Sequence, residues 1–136
     1  TFHHGHTYAG NPLAAAAACA TLDVIADERV LEETVPRLAE KMARVLAPLR
    51  EHAHVADVRQ IGTIAGVELC AGREGGLAYP ANQRHGYRVA KQATSQGVWL
   101  RPLGDVVVVM PPLSINDAEL ELLGHVLLES IDSICQ

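Results

Sequence analysis

A chain of 136 residues with 49% apolar content is long and apolar enough for one compact domain with a core. A net charge of −5 argues against nucleic acid as a partner. No apolar run reaches the length of a membrane span, and no charged–apolar–small leader opens the chain, so neither an anchor nor a secretory signal is read from it.

In chain order, Asn11 is placed to cap a helix and Pro12 suits its first position, so a helix is predicted from Asn11 to about Ile25. Ala14 to Ala18 is an unbroken alanine run, the best helix former. Asp27 is expected to end this helix and cap a second one. Leu31, Val35, Leu38, Met42, Val45, Leu46 and Leu49 give the second helix its apolar stripe. Pro36 should start or kink it, and Pro48 with Arg50, Glu51 and His52 should end it. Val55 to Ile61 and Thr63 to Leu69 read as two strands around Gly62. Ala71 to Asn82 reads as a loop, followed by a helix over residues 83–96 with Tyr87, Val89, Ala90 and Ala93 inward and Gly97 as its stop. Val98 to Arg101 and Val106 to Met110 read as a second strand pair, with Pro102-Leu103-Gly104-Asp105 as the turn. Asn116 with Glu119 forms a capping box for a last helix striped by Leu120, Leu123, Leu127, Ile131 and Ile134. The order α-α-β-β-α-β-β-α predicts an α+β fold, an antiparallel sheet with helices on one face.

Candidate chemistry is concentrated in Thr1-Phe2-His3-His4-Gly5-His6-Thr7-Tyr8-Ala9-Gly10-Asn11-Pro12. A threonine hydroxyl, exposed N–H groups and glycines ahead of a helix suit a phosphate. Many loops share this composition, and by composition alone Thr7 is an ordinary loop threonine. His3, His4 and His6 invite a metal, but the set has no cysteine, no third well-spaced carboxylate and no helical H-x-x-x-H, so no metal is assigned. Cys19, Cys70 and Cys135 lack metal spacing and read as reduced thiols of a cytoplasmic protein. Glu68 and Glu74 read as unpaired, solvated carboxylates. Arg101 lies at a strand end before rigid Pro102, where a guanidinium can hold a carboxylate by two parallel hydrogen bonds.

The wording of these stretches is more specific than their chemistry. His4-Gly5-His6-Thr7-Tyr8-Ala9-Gly10-Asn11-Pro12-Leu13-Ala14 resembles the HG-x-T-[FY]-x-GNPLA segment of class III pyridoxal-phosphate aminotransferases. Gly97-Val98-Trp99-Leu100-Arg101-Pro102-Leu103-Gly104-Asp105, then Met110-Pro111-Pro112-Leu113, resembles the GV-W-[LI]-RP-[LF]-G…MPP signature of the branch that aminates 8-amino-7-oxononanoate in biotin synthesis. The resemblance covers nearly the whole chain and corresponds to the C-terminal third of such an enzyme.

That resemblance implies pyridoxal 5′-phosphate as cofactor and a fold-type I transferase. Residues 1–26 would be the end of its large domain, and residues 27–136 its small C-terminal domain. It implies that His6 and Thr7 contact the cofactor phosphate held by the other subunit of a homodimer. It also implies that Gly5 lies against the substrate and that Arg101 binds the substrate carboxylate. His6 departs from relatives that carry proline there, a change that a backbone contact survives. S-adenosylmethionine is the usual amino donor and lysine serves some members; the tyrosine some relatives carry near Val108 is absent here, which leaves the donor open.

Such chemistry needs a Schiff-base lysine, an acidic partner for the pyridine nitrogen and a ring-stacking aromatic. The only lysines, Lys41 and Lys91, fall on polar helix faces and lack the family's surrounding sequence. The chain also opens on Thr1 inside the loop motif. We therefore expect a piece of a longer enzyme, inactive alone, with the missing groups upstream. Two rivals stay open: another class III ω-aminotransferase, and a free-standing α+β ligand-binding module.

Overall fold

The computed structural model describes residues 5–73 and 76–135; His3, His4 and Glu74 lie outside them. The chain clusters into two compact units, Thr1–Thr34 and Val35–Gln136.

In the first unit, α1 spans Pro12–Asp27. Asn11 caps it as expected: its side-chain oxygen accepts from the N–H groups of Leu13 at 3.0 Å and Ala14 at 3.2 Å. Asp27 is the last residue of α1 and caps no second helix. The break is made by Arg29, which turns to φ +49° and so cannot continue a right-handed helix. A π turn, Val30–Thr34, follows, with the Arg29 guanidinium on Glu33 at 2.6 Å. The wider turn shifts the helical phase, which is why Leu31 is exposed rather than part of the apolar stripe.

In the second unit, α2 spans Val35–Val45 and carries Pro36 in its first turn, where a missing N–H costs nothing. A 3-10 segment, Ala47–Glu51, ends this region. β1 (Val55–Ile61) and β2 (Ile64–Leu69) form the expected hairpin, paired from Ile61↔Ile64. A bulge between Val55 and Asp57 brings Val55 and Val58, three residues apart, onto the same buried face. α3 spans His85–Ser95, β3 Arg101–Leu103, β4 Val106–Val109 and α4 Asp117–Ile134. The Asn116–Glu119 capping box is formed.

The sheet is antiparallel, in the order β1-β2-β4-β3. Ala65, Val67, Leu69, Val107 and Val109 face the helices, where Leu38, Met42, Val89, Ala93, Leu127 and Ile131 complete the core. The α+β arrangement with helices on one face is therefore observed. On the other face, Glu68 is paired, contrary to expectation: Arg59 reaches it at 2.5 Å and Asp57 at 3.1 Å.

Two further expectations are corrected. The strand read at Val98 to Arg101 begins at Arg101 and runs through Pro102 to Leu103. Proline is tolerated there because β3 is the sheet edge. The turn shrinks to Gly104-Asp105, with Gly104 at φ +61°. Tyr87 is not inward but 47% exposed, because the buried side of α3 is His85, Gly86, Val89, Ala90 and Ala93. The Arg84 guanidinium instead lies over its ring, 4.4 Å from the centroid.

Candidate functional site

Gly5 and His6 lead into an exposed turn of the first unit that begins at Thr7. The His6 carbonyl accepts from the Ala9 N–H at 2.9 Å, and the Tyr8 carbonyl from the Asn11 N–H at 3.1 Å. Between them Tyr8 sits at φ +71°, a left-handed conformation costing a bulky L-residue about 1–2 kcal/mol. Strain of this kind concentrates at ligand loops. The Leu13 and Ala14 amides are already committed to Asn11, and the turn itself carries two neutral hydroxyls, those of Thr7 and Tyr8. A neutral hydroxyl on a strained, exposed turn fits a single phosphate contact, not a whole phosphate site. A Cβ built on Gly5 meets nothing within 4 Å among the described residues, so none of them demands glycine there.

Arg101 belongs to the second unit and opens β3 opposite Val108. It is exposed and makes no ion pair with any described residue. It stands between two clefts that share Trp99, Leu100 and Arg101. One, of about 690 Å³, runs along α3; the other, of about 580 Å³, runs toward α4. The hairpin carrying Arg101 is pinned to α3, where Asp105 Oδ1 accepts from the Gly86 N–H at 3.1 Å, and to the end of β2, where the Asp105 carbonyl accepts from the Leu69 N–H at 2.9 Å.

The two lysines occupy separate settings. Lys41 on α2 pairs with Asp117 at the start of α4. That contact holds the Asp117 carboxyl below its ordinary value. Lys91 is exposed on α3. Among the described residues no group of three or more His, Cys, Asp or Glu is placed to hold a metal, and no helix is long and apolar enough to cross a membrane. Cys19 is exposed, and Cys70 and Cys135 are buried, all three as free thiols.

One polar cluster escaped the sequence reading. Tyr79 stacks on buried His85 with ring centroids 3.6 Å apart, and its hydroxyl meets His54 Nδ1 at 3.1 Å. Burial, with Cys135 close by, pushes the Tyr79 hydroxyl well above the ordinary phenol value. Burial pushes the His85 imidazole down. The helical phase of Val89 and Ala93 placed His85 inward and could have exposed it.

The family profile "Aminotransferase class-III" matches residues 1–131. The chain is 50% identical, over all of its length, to an adenosylmethionine-8-amino-7-oxononanoate aminotransferase of Nitratidesulfovibrio vulgaris, covering 25% of that protein. The crystal structure of the protein so named from Methanocaldococcus jannaschii superposes with a TM-score of 0.90 at 39% identity, over 98% of this chain and 30% of that one. A pyridoxamine-phosphate-bound ("PMP-bound") aminotransferase structure from Vibrio fluvialis gives 0.89 at 29% identity, over 98% and 29%. The chain thus spans between a quarter and a third of the length of the proteins it matches. With the profile spanning all but the last residues and the fold shared with solved transaminases, the chain belongs to the class III aminotransferases.

Proposed function

We propose that this chain is part of a pyridoxal-phosphate-dependent aminotransferase that converts 8-amino-7-oxononanoate to 7,8-diaminononanoate, a diaminopelargonate synthase. S-adenosylmethionine is the proposed amino donor. The observation that carries the reading is Arg101: a guanidinium without an ion-pair partner among the described residues, aimed by an edge strand and rigid Pro102, beside apolar clefts. The names of the relatives support it.

When bound, pyridoxal phosphate supplies the electron sink and the carbon that carries the amino group. The residues of this chain hold and orient. His6 and Thr7 contribute contacts to the cofactor phosphate of the neighbouring subunit in a homodimer. Gly5 leaves room for the substrate. Arg101 reads the carboxylate, which lies far from the reacting ketone and is invisible to the cofactor. A lysine would offer the charge without the paired geometry.

Arg101→Ala in the full-length enzyme tests this. Losing a charge-assisted pair costs roughly 1.5–3 kcal/mol, about a ten- to hundredfold effect. The Michaelis constant for the keto acid should rise by that factor while cofactor binding holds, and Arg101→Lys should recover part of it. An unchanged constant in a folded variant would make Arg101 a surface charge and favour another amine substrate within the same family.

A further inference from the structure

The second unit joins the approach to β1, the end of β2, the start of α3 and the end of α4 through a cluster of three histidines and Tyr79. His52 is held at both ring nitrogens. Its Nδ1 accepts from the His54 backbone N–H at 3.1 Å, which leaves its own proton on Nε2 to be donated to Asp132 Oδ1 of α4 at 2.9 Å. His54 Nδ1 lies 3.1 Å from the Tyr79 hydroxyl and 3.4 Å from the Cys70 carbonyl. Burial keeps the Tyr79 phenol protonated, so its O–H donates and a neutral His54 Nδ1 accepts. Tyr79 also stacks on buried His85, whose Nδ1 has no hydrogen-bond partner among the described residues.

Both Nδ1 contacts need a nitrogen without a proton, and imidazole changes charge between about pH 5 and 8. A proton reaching His52 enters at Nδ1 and displaces the His54 N–H. A proton on His54 Nδ1 turns that nitrogen to the Cys70 carbonyl, and Tyr79 loses its acceptor. The surrounding groups do not cancel these charges. Asp132 already holds His52 Nε2, and Cys70 of β2 and Cys135 of α4 are thiols. Arg88 of α3 opposes charge on His85, Asp105 of the β3–β4 turn favours it, and burial outweighs both. Glu51 beside His52 is taken by Arg73 at 3.5 Å, and Arg50 by the Val58 carbonyl at 2.7 Å. The His52 and His54 rings lie 5.9 Å apart, so two charged rings repel. We propose that His52, His54 and Tyr79 form an acid-released clasp, which with neutral imidazoles fixes the start of β1 and the segment 76–84, and which on protonation frees the His54 amide and Tyr79. The clasp is independent of which substrate the enzyme aminates.

Hydrogen exchange of the full-length enzyme tests this, read by mass spectrometry at about pH 8 and about pH 6 and divided by the intrinsic exchange rate at each pH. Peptides covering residues 52–56 and 76–84 should lose about fivefold or more in protection at the lower pH, the worth of one hydrogen bond. Peptides covering residues 120–131 of α4 should keep theirs. His52→Asn offers a side-chain carbonyl to the amide two residues on and cannot be protonated. Residues 52–56 of that variant should be equally protected at both pH values. Tyr79→Phe keeps the ring on His85 without the hydroxyl, so residues 76–84 should already exchange at about pH 8 as the parent does at about pH 6. Circular dichroism checks that both variants fold. Three results overturn the proposal: equal protection of the parent at both pH values, a loss shared by α4, or a pH response of residues 52–56 that survives His52→Asn. Should His52→Asn not fold, the parent and Tyr79→Phe decide, and residues 76–84 staying protected in Tyr79→Phe overturns it.

Discussion

At the scale of single residues, Lys41 and Lys91 are the only side-chain amines of this chain able to form a Schiff base. Lys41 is clasped by Asp117 and Lys91 stands exposed on α3, so neither has the buried setting that activates a lysine. The chain incubated with pyridoxal phosphate and borohydride should show no stoichiometric label at either; mass spectrometry of the digest checks this. His85 leads to a second expectation. Burial lowers its pKa below the ordinary 6.5, so the unfolded chain takes up its proton before the folded chain does. Its stabilising share is therefore present above about pH 6.5 and lost as pH falls through the lower folded value. His85→Phe keeps a ring against Tyr79, removes the buried Nδ1 that has no hydrogen-bond partner among the described residues, and cannot be protonated. Urea unfolding should show the variant losing less stability than the parent between about pH 7 and pH 5.

At the scale of elements, the aim of Arg101 depends on how closely the β3–β4 hairpin approaches α3. A Cβ on Gly86 would lie 2.2 Å from the Gly104 carbonyl oxygen and 3.1 Å from Asp105 Cα, both backbone atoms. Gly86→Ala should gain helix propensity of about 1 kcal/mol. The clash wins, because overpacking of this kind typically costs about 1–3 kcal/mol and the hairpin must move. The expected result is net destabilisation by thermal melting, with a weakened carboxylate site although residue 86 lies outside the cleft lining. Gly124 against Val45 looks as tight, at 2.1 Å, but the obstacle there is a side-chain methyl rather than a backbone oxygen.

At the scale of the whole molecule, the chain accounts for 25–30% of the proteins it matches, and its proposed partner is a second subunit. If Thr7 serves the neighbour's cofactor, one heterodimer separates the cases. One full-length subunit carries Thr7→Ala and the other lacks its catalytic lysine. With Thr7 acting in trans, both defects fall in one site and the other site stays active. Two damaged, inactive sites would show that Thr7 acts within its own subunit.

Local chemistry made much of this protein legible in its sequence. The Asn11 cap, the Asn116–Glu119 box, the Gly62 hairpin and the α4 stripe all rest on contacts between near neighbours, and all formed as read. Gly5, His6, Thr7 and Arg101 are proposed from their motifs, and the structure adds the positive φ of Tyr8 and the lack of an ion pair between Arg101 and any described residue. What tertiary structure decided involves partners distant in sequence. Pro102 became a strand residue because β3 lies at the sheet edge, and Tyr87 turned outward because Gly86 had to face the Gly104 carbonyl. The pairing of Lys41 with Asp117 and the stacking of Tyr79 on His85 follow from packing against other elements, which no local periodicity encodes.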